Sequence, residues 1–207
     1  MRNAVKAEVL VPSVVFSSLC VGLAFAPDSL VREFALNRTA VRTGEWWRLW
    51  TAHLVHFSPR HALFDAGAAL LLGRVAETFL GKRDVAMALL LGAPLLSIAM
   101  LLILPNLMDY RGASGPATLL GVMAGVGLWH SRPKFRAPTA CLGVLFLAKV
   151  ASDAFGVPMT LTNLPTNVSI AWQVHLIGVA LGLAVSILMC KVDYPAENAA
   201  TVSRCLG

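Results

Sequence analysis

The sequence predicts an all-α membrane protein that crosses a bilayer six times. Of its 207 residues, 57% are hydrophobic and only 14% are charged, whereas a soluble domain has about 25% charged residues. The apolar residues are also grouped into runs of about 20, the length at which a helix crosses the hydrocarbon core of a bilayer. The predicted spans are residues 9–26, 61–80, 85–104, 113–130, 137–155 and 170–190.

The first apolar run follows a basic N-terminus and ends at Ala24-Phe25-Ala26, which resembles a signal-peptide cleavage site. Pro27 comes next, and a proline directly after the cut disfavours processing. We therefore expect an uncleaved first span. Residues 1–190 would then form one membrane domain with six spans, and residues 191–207 a short polar tail.

Basic residues at the ends of the apolar runs predict the orientation. An even number of spans places both termini on one side, together with Lys82, Arg83 and the basic loop at 131–136. The positive-inside rule makes that side cytoplasmic. Because the net charge of +6 is spread over such flanking positions, we expect a lipid bilayer around the protein and no nucleic-acid partner.

The first outer loop, residues 28–60, departs from the rule because it carries five arginines. Its Trp46-Trp47-Arg48-Leu49-Trp50 segment is typical of an interfacial aromatic belt with arginines that snorkel to water. We expect this long loop to fold against the membrane surface, with His53 and His56 as interfacial residues.

Ser114 opens the fourth span between Gly112 and Gly115. Small neighbours let another backbone approach the hydroxyl closely. The N-terminus of a helix also presents free N–H groups and a positive dipole end, which would stabilise an anionic intermediate. A serine among small residues is equally compatible with helix packing, so this stretch alone does not establish catalysis.

Two histidines are predicted at the same depth as Ser114. Polar side chains inside spans are costly and are functional candidates by default. His61 and Asp65 open the second span, and His175 lies about five residues into the sixth, roughly 7 Å down. The second, fourth and sixth spans all begin at the outer face, so we expect the serine and both histidines to meet there.

Other polar and small residues have structural interpretations. Glycines four residues apart on the fourth and sixth spans would let these helices pack closely enough for a Ser–His hydrogen bond; they are Gly121, Gly125, Gly178 and Gly182. Lys149 and Asp153 are spaced i, i+4 and are expected to form an ion pair rather than to act in catalysis. The four cysteines lack metal-ligand spacing, so neither a disulfide nor a metal site is expected.

Five motifs resemble those of the rhomboid intramembrane serine proteases, in the family's order. They are Glu45-x-Trp47-Arg48, His56 with His61-x-x-x-Asp65, Gly73-x-x-x-Glu77-x-x-x-Gly81, Gly112-Ala113-Ser114-Gly115 and His175-x-x-Gly178-x-x-x-Gly182. The resemblance implies a six-helix rhomboid-like bundle, transmembrane protein substrates, no cofactor, and a catalytic Ser114–His175 dyad. His61, Asp65 and Gly112 would support the oxyanion site.

One residue departs from the family pattern. The family usually has Asn where this chain has Asp65, and that Asn is thought to help hold the oxyanion. Asp65 could be kept protonated by burial and donate a hydrogen bond. Alternatively, it could be ionised and orient His61, which would leave the oxyanion to His61 and the backbone N–H of Ser114.

Within the family the chain resembles the rhombosortases, whose fifth span carries a lysine followed by an acidic residue near a glycine. Lys149, Asp153 and Gly156 match that pattern. The resemblance implies cleavage of C-terminal Gly-Gly-type sorting tails from exported proteins. It also implies a bacterial inner (plasma) membrane, with cytoplasmic termini and an active site that opens to the outer face.

The predicted function is therefore that of a serine endopeptidase. Two other classes of protein agree less well with the sequence. A catalytically inactive rhomboid-like protein that binds transmembrane clients would lack the serine or the histidine, and both are present. A small transporter would need charges near the middle of the bilayer, whereas the polar cluster here is predicted to be shallow.

Overall fold

A computed structural model describes residues 11–157 and 171–192 of the chain. The elements, in chain order, are α1 (Pro12–Leu23), α2 (Asp28–Phe34), β1 (Leu36–Asn37), α3 (Arg38–Arg42), α4 (Arg48–Thr51), α5 (Pro59–Leu80), α6 (Lys82–Ile103), β2 (Asp109–Tyr110), α7 (Ser114–Ser131), a short 3-10 helix (Pro133–Phe135), α8 (Arg136–Ala154) and α9 (Gln173–Val192). Residues 9, 10 and 170 of the predicted spans, and residues 193–207 of the predicted tail, lie outside the described residues.

Each of the six predicted spans coincides with one of the long helices α1, α5, α6, α7, α8 and α9. Among the described residues, two helical segments are long and apolar enough to cross a membrane, Lys82–Ile103 and Pro133–Ala154. Pro12–Leu23 and Gln173–Met189 are apolar but shorter. The predominantly helical fold is confirmed, and the number of membrane crossings stays a prediction.

Helix α7 is the centre of the bundle and packs mainly against α5 and α9. Its Leu119, Leu120 and Met123 are almost fully buried, as expected for a helix surrounded by other helices. Helix α8 is peripheral, because among its residues only Val150 and Asp153 are buried. The helices α5, α7 and α9 therefore form a tight unit, with α8 at its edge.

Helix α1 is joined to α5 by polar contacts and a close approach. The Ser13 N–H donates to Oε1 of Glu77 over 3.0 Å, and Arg74 Nη1 lies 2.7 Å from Oε2 of the same carboxylate. The carboxylate thus accepts one of the N–H groups that the first turn of a helix leaves without an acceptor. A Cβ on Gly73 would lie 2.5 Å from the Ser13 Cβ, so only glycine permits this approach.

The first outer loop folds into three short helices and one strand instead of lying as an open loop. β1 pairs antiparallel with β2, with Leu36 opposite Tyr110 and Asn37 opposite Asp109. Arg38 donates to the carbonyl oxygens of Leu104 and Leu107 over 2.6 and 3.2 Å. The outer loop is therefore fixed to the segment that leads into α7.

The prediction that the loop arginines snorkel is wrong for Arg48. Its side chain is buried, pairs with Glu45 at 2.5 Å and donates to the carbonyl oxygens of Arg32 and Ala35. Backbone carbonyls and one carboxylate satisfy the guanidinium inside the folded loop, so it has no need of water. The neighbouring Trp46 remains largely exposed.

The glycine faces of the two helices do not meet each other. A Cβ on Gly178 would lie 2.9 Å from the Gly115 carbonyl oxygen, and one on Gly182 would lie 2.7 Å from the Val122 Cβ. Because these two residues of α9 have no side chain, α7 can approach α9 closely. Gly121 instead faces Leu72 of α5, and Gly125 faces Thr139 of α8, because they lie on other sides of α7. The close approach of α7 and α9 therefore depends on these two glycines of α9 and on Gly115 of α7, where a Cβ would lie 2.8 Å from the Val174 Cγ2.

Candidate active site

Ser114 is the first residue of α7 and is partly buried. The turn before it requires glycine, since Gly112 has φ +138, a region that side-chain-bearing residues rarely adopt. A Cβ there would also lie 3.2 Å from Oδ2 of Asp65 and 3.3 Å from Cε1 of His61. Gly112 therefore shapes the chain before Ser114 and leaves room for both side chains.

His175 is buried and is the third residue of α9. Its Nδ1 lies 3.2 Å from Oγ1 of Thr118 on α7. The ring of Phe146 on α8 meets it edge-on, with the centroids 5.7 Å apart. Because α9 begins at Gln173, His175 lies about 3 Å along the helix axis, and its depth in the bilayer stays a prediction.

Three of the predicted site residues line one cavity of about 800 Å³: Ser114, His175 and Asp65. The rest of the lining comes mostly from apolar residues of α5, α7 and α8, and it extends along α7 as far as His130. His61, Ser114 and His175 each lie within the first three residues of their helices. Ser114, His175 and Asp65 thus share one cavity with a mostly apolar lining, and His61 lies beside it in contact with Asp65.

The Asp65 side chain faces two imidazole rings. Its Oδ2 lies 3.3 Å from Nε2 of His61 and 3.4 Å from Nε2 of His56. The His56 nitrogen also accepts the backbone N–H of Ala113 over 3.2 Å. Because this nitrogen accepts the Ala113 N–H, it has no proton to donate to Asp65, and His56 holds the residue before Ser114 without a hydrogen bond to the carboxylate.

The carbonyl oxygen of Gly112 is held by two buried side chains. Tyr110 donates its hydroxyl to this oxygen over 2.9 Å, and His53 Nδ1 lies 3.3 Å away. His53 Nε2 lies 2.9 Å from both the Ala93 carbonyl oxygen and the Ser97 hydroxyl. Burial lowers the pKa of His53 to about 4 and raises the pKa of the Tyr110 hydroxyl. A protonated Tyr110 therefore fixes the Gly112–Ala113 peptide from one side while His56 binds its N–H. A neutral His53 has one N–H and donates to only one of the two carbonyl oxygens that it faces.

His53 and His56 belong to the outer loop, as predicted, but neither side chain is exposed at its surface. Both are buried because the outer loop packs on the segment before α7 and carries them beneath it. Sequence patterns also missed Thr118 and Tyr110. Thr118 lies four residues after Ser114, so the helical period places it on the same face, and that spacing was the available signal.

The ion pair predicted on the fifth span is confirmed. Lys149 Nζ lies 2.5 Å from Oδ2 of Asp153, whose side chain is fully buried. The helix ends two residues before Gly156, which has φ +75. Among residues 11–157 and 171–192, no group of three or more His, Cys, Asp or Glu side chains is placed to hold a metal ion.

The chain is similar to one known family of domains. The family model of the Rhomboid domain matches residues 43–192, which is more than half of the chain and runs from just before α4 to the end of α9. The matched segment includes every residue of the cavity described above. A comparison with curated proteins finds no match.

Proposed function

We propose, because the chain belongs to the rhomboid family of intramembrane serine proteases, that it cleaves transmembrane segments of other proteins with a Ser114–His175 dyad. The observation that carries this proposal is the shared cavity of the two side chains, one from α7 and one from α9. Asp65 also lines this cavity, and the rest of its lining is mostly apolar. Such a lining would accept a substrate segment that enters from the lipid bilayer.

The proposed reaction is acyl transfer in two steps. His175 removes the Ser114 hydroxyl proton as the oxygen attacks a substrate carbonyl carbon, and it returns that proton to the leaving amine. This gives an acyl-enzyme and releases the segment on the carboxyl side of the cut. Water then attacks the ester with His175 again as the base, and Ser114 is regenerated.

The oxyanion would be bound at the start of α7. The Ser114 N–H belongs to the first turn of a helix and has no acceptor within that helix. His61 would be the second donor, and the contacts to Gly112 and Ala113 support a preorganised backbone there. Donors that are fixed before the reaction stabilise the developing charge without reorganisation.

Of the two roles considered for Asp65, we propose the ionised one, on the basis of its contact with His61. A carboxylate 3.3 Å from Nε2 of His61 would orient that ring by accepting its N–H. In its imidazolium form, His61 would then donate from its other nitrogen, Nδ1, to which the described part of the chain offers no hydrogen-bond partner. We infer that Asp65 acts through His61, where the family's Asn acts directly.

The substrate class and orientation are further parts of this proposal. The Lys149–Asp153 pair with Gly156 beyond it is the feature that supports rhombosortase-like cleavage of C-terminal Gly-Gly-type tails. We propose an inner-membrane protein with its site open to the outer face, since the basic flanks at 82–83 and 131–136 lie at the opposite ends of α5 and α7 from Ser58 and Ser114.

The test uses purified protein and a reporter with one transmembrane segment. A fluorophosphonate should label Ser114, and Ser114→Ala and His175→Ala should each abolish reporter cleavage while the protein remains folded. The inactive client-binding alternative predicts that the reporter binds but is not cleaved. Normal cleavage by Ser114→Ala would refute the dyad.

A further inference from the structure

The hydroxyl group of Thr118 lies between the nucleophile's backbone and the ring of His175. Its Oγ1 is 2.8 Å from the carbonyl oxygen of Ser114, one helical turn earlier, and 3.2 Å from Nδ1 of His175. The side chain is buried. One hydroxyl group thus contacts both residues of the proposed dyad.

Counting protons determines the direction of both contacts. A carbonyl oxygen can only accept, so the single proton of the hydroxyl must lie between Thr118 Oγ1 and the Ser114 oxygen, because two lone pairs 2.8 Å apart would repel. Toward His175, Thr118 then has only an acceptor lone pair. A hydrogen bond across the 3.2 Å contact therefore requires the proton on Nδ1 of the histidine.

We propose that Thr118 is a positioning residue that holds His175 as its Nδ1–H tautomer, and this rests on the proposed function of the dyad. With the proton on Nδ1, the lone pair of the neutral ring is on Nε2, which is the nitrogen free to accept the Ser114 hydroxyl proton. The carboxylate of a catalytic triad orients its histidine in the same way. Here an uncharged hydroxyl, itself fixed by the nucleophile's carbonyl, performs this task.

The packing around Thr118 supports this role. A Cβ on Gly178 would lie 3.0 Å from the Thr118 Cβ, so the glycine one turn after His175 lets the threonine approach α9. Phe146 meets the imidazole edge-on, which restricts rotation of the ring. When His175 accepts the proton and becomes imidazolium, its hydrogen bond to Thr118 gains strength from the charge. The contact therefore favours the transition state over the resting state.

Kinetics on three variants tests the consequence for the rate. Thr118→Val keeps the shape and removes the hydroxyl, so kcat should fall about three- to tenfold, the value of one net neutral hydrogen bond, with little change in KM. Thr118→Ser should restore kcat. The matched control is Thr78→Val, whose hydroxyl also bonds a carbonyl one turn earlier on an exposed part of α5 and which should leave kcat unchanged.

A tautomer measurement tests the inference without any activity. Protein labelled with ¹⁵N-histidine is studied by NMR in detergent micelles at mildly alkaline pH, and the His175 signals are identified by their loss in His175→Asn. Wild type and Thr118→Ser should show the proton on Nδ1, and Thr118→Val should lose this preference. If wild-type His175 carries its proton on Nε2, the inference is overturned even when the protein is an active protease.

The two measurements also separate this inference from the proposed function. An Nδ1–H tautomer in a protein that cleaves nothing would refute the proposed protease and leave the role of Thr118 in holding the ring intact. If Thr118→Val fails to fold, the His175 tautomers of the wild type and of Thr118→Ser still decide whether the inference holds. Unchanged kcat and unchanged tautomer in a folded Thr118→Val would overturn the inference.

Discussion

The close approach of α7 and α9 predicts a large effect from adding a single methyl group. In Gly178→Ala the new Cβ would lie 2.9 Å from the Gly115 carbonyl oxygen and 3.0 Å from the Thr118 Cβ. Ordinary contact begins at 3.4 Å, so α9 must move away by about 0.5 Å. Neither neighbouring atom is at the end of a flexible side chain, so the helix itself has to shift.

The magnitude follows from two opposing effects. Overpacking of this kind costs about 1–3 kcal/mol, whereas replacing glycine by alanine within a helix gains about 0.5–1 kcal/mol. We expect a net loss of stability of up to about 2 kcal/mol. A misplacement of about 1 Å costs roughly 100-fold in rate, so a shift of half that size should lower kcat about tenfold.

Gly67→Ala is the control, since a Cβ at that position of α5 meets nothing within 4 Å. It should be at least as stable as the wild type and should retain full activity. Thermal unfolding in detergent and cleavage of the transmembrane reporter are measured for both variants. If Gly178→Ala matches Gly67→Ala in both assays, the two helices do not need this close contact.

Three further predictions concern Asp65, pH and orientation. If Asp65 is ionised and orients its histidine, Asp65→Asn should lower reporter cleavage and move its pH profile; an unchanged or higher rate would favour a protonated donor. The pKa of His53 is about 4 in the folded protein and about 6.5 in the unfolded chain. Its contribution to the free energy of unfolding is therefore complete above pH 6.5 and is lost as the pH falls toward 4, by up to about 3 kcal/mol. His53→Gln should be less stable than the wild type at neutral pH, and its free energy of unfolding should depend less on pH between pH 4 and 6.5. An equal dependence on pH in the variant and the wild type would contradict this. In a cysteine-free background, an impermeant thiol reagent applied to intact cells should label a cysteine at position 108 and not those at positions 82 or 134; the opposite pattern would place the site on the cytoplasmic side.

The sequence predicted the long helices because runs of apolar residues with basic ends constrain a chain strongly in a bilayer. It also predicted that Ser114, His61 and His175 lie near the starts of three helices, which they do. Both predictions depend on where residues lie along a helix axis, which is a one-dimensional property of the sequence.

Contacts that depend on rotation about an axis, or on folding of the outer loop, were not predictable in the same way. Gly121 faces α5 and not α9 because the rotation of α7 is set by its neighbours. Arg48 and His53 are buried because a loop of short helices carries them inward, although loop arginines and histidines are usually solvated. The local sequence contains no periodic signal for such tertiary burial.

The contact between α1 and α5 has a consequence for how the protein can be divided. The family match begins at residue 43, but a fragment cut at that boundary would lack Ser13. The buried carboxylate of Glu77 would lose the N–H it accepts, and the groove above Gly73 would be left open. Such a fragment would carry the whole recognised domain and still be an incomplete folding unit, because the boundary drawn by sequence similarity crosses a packed interface.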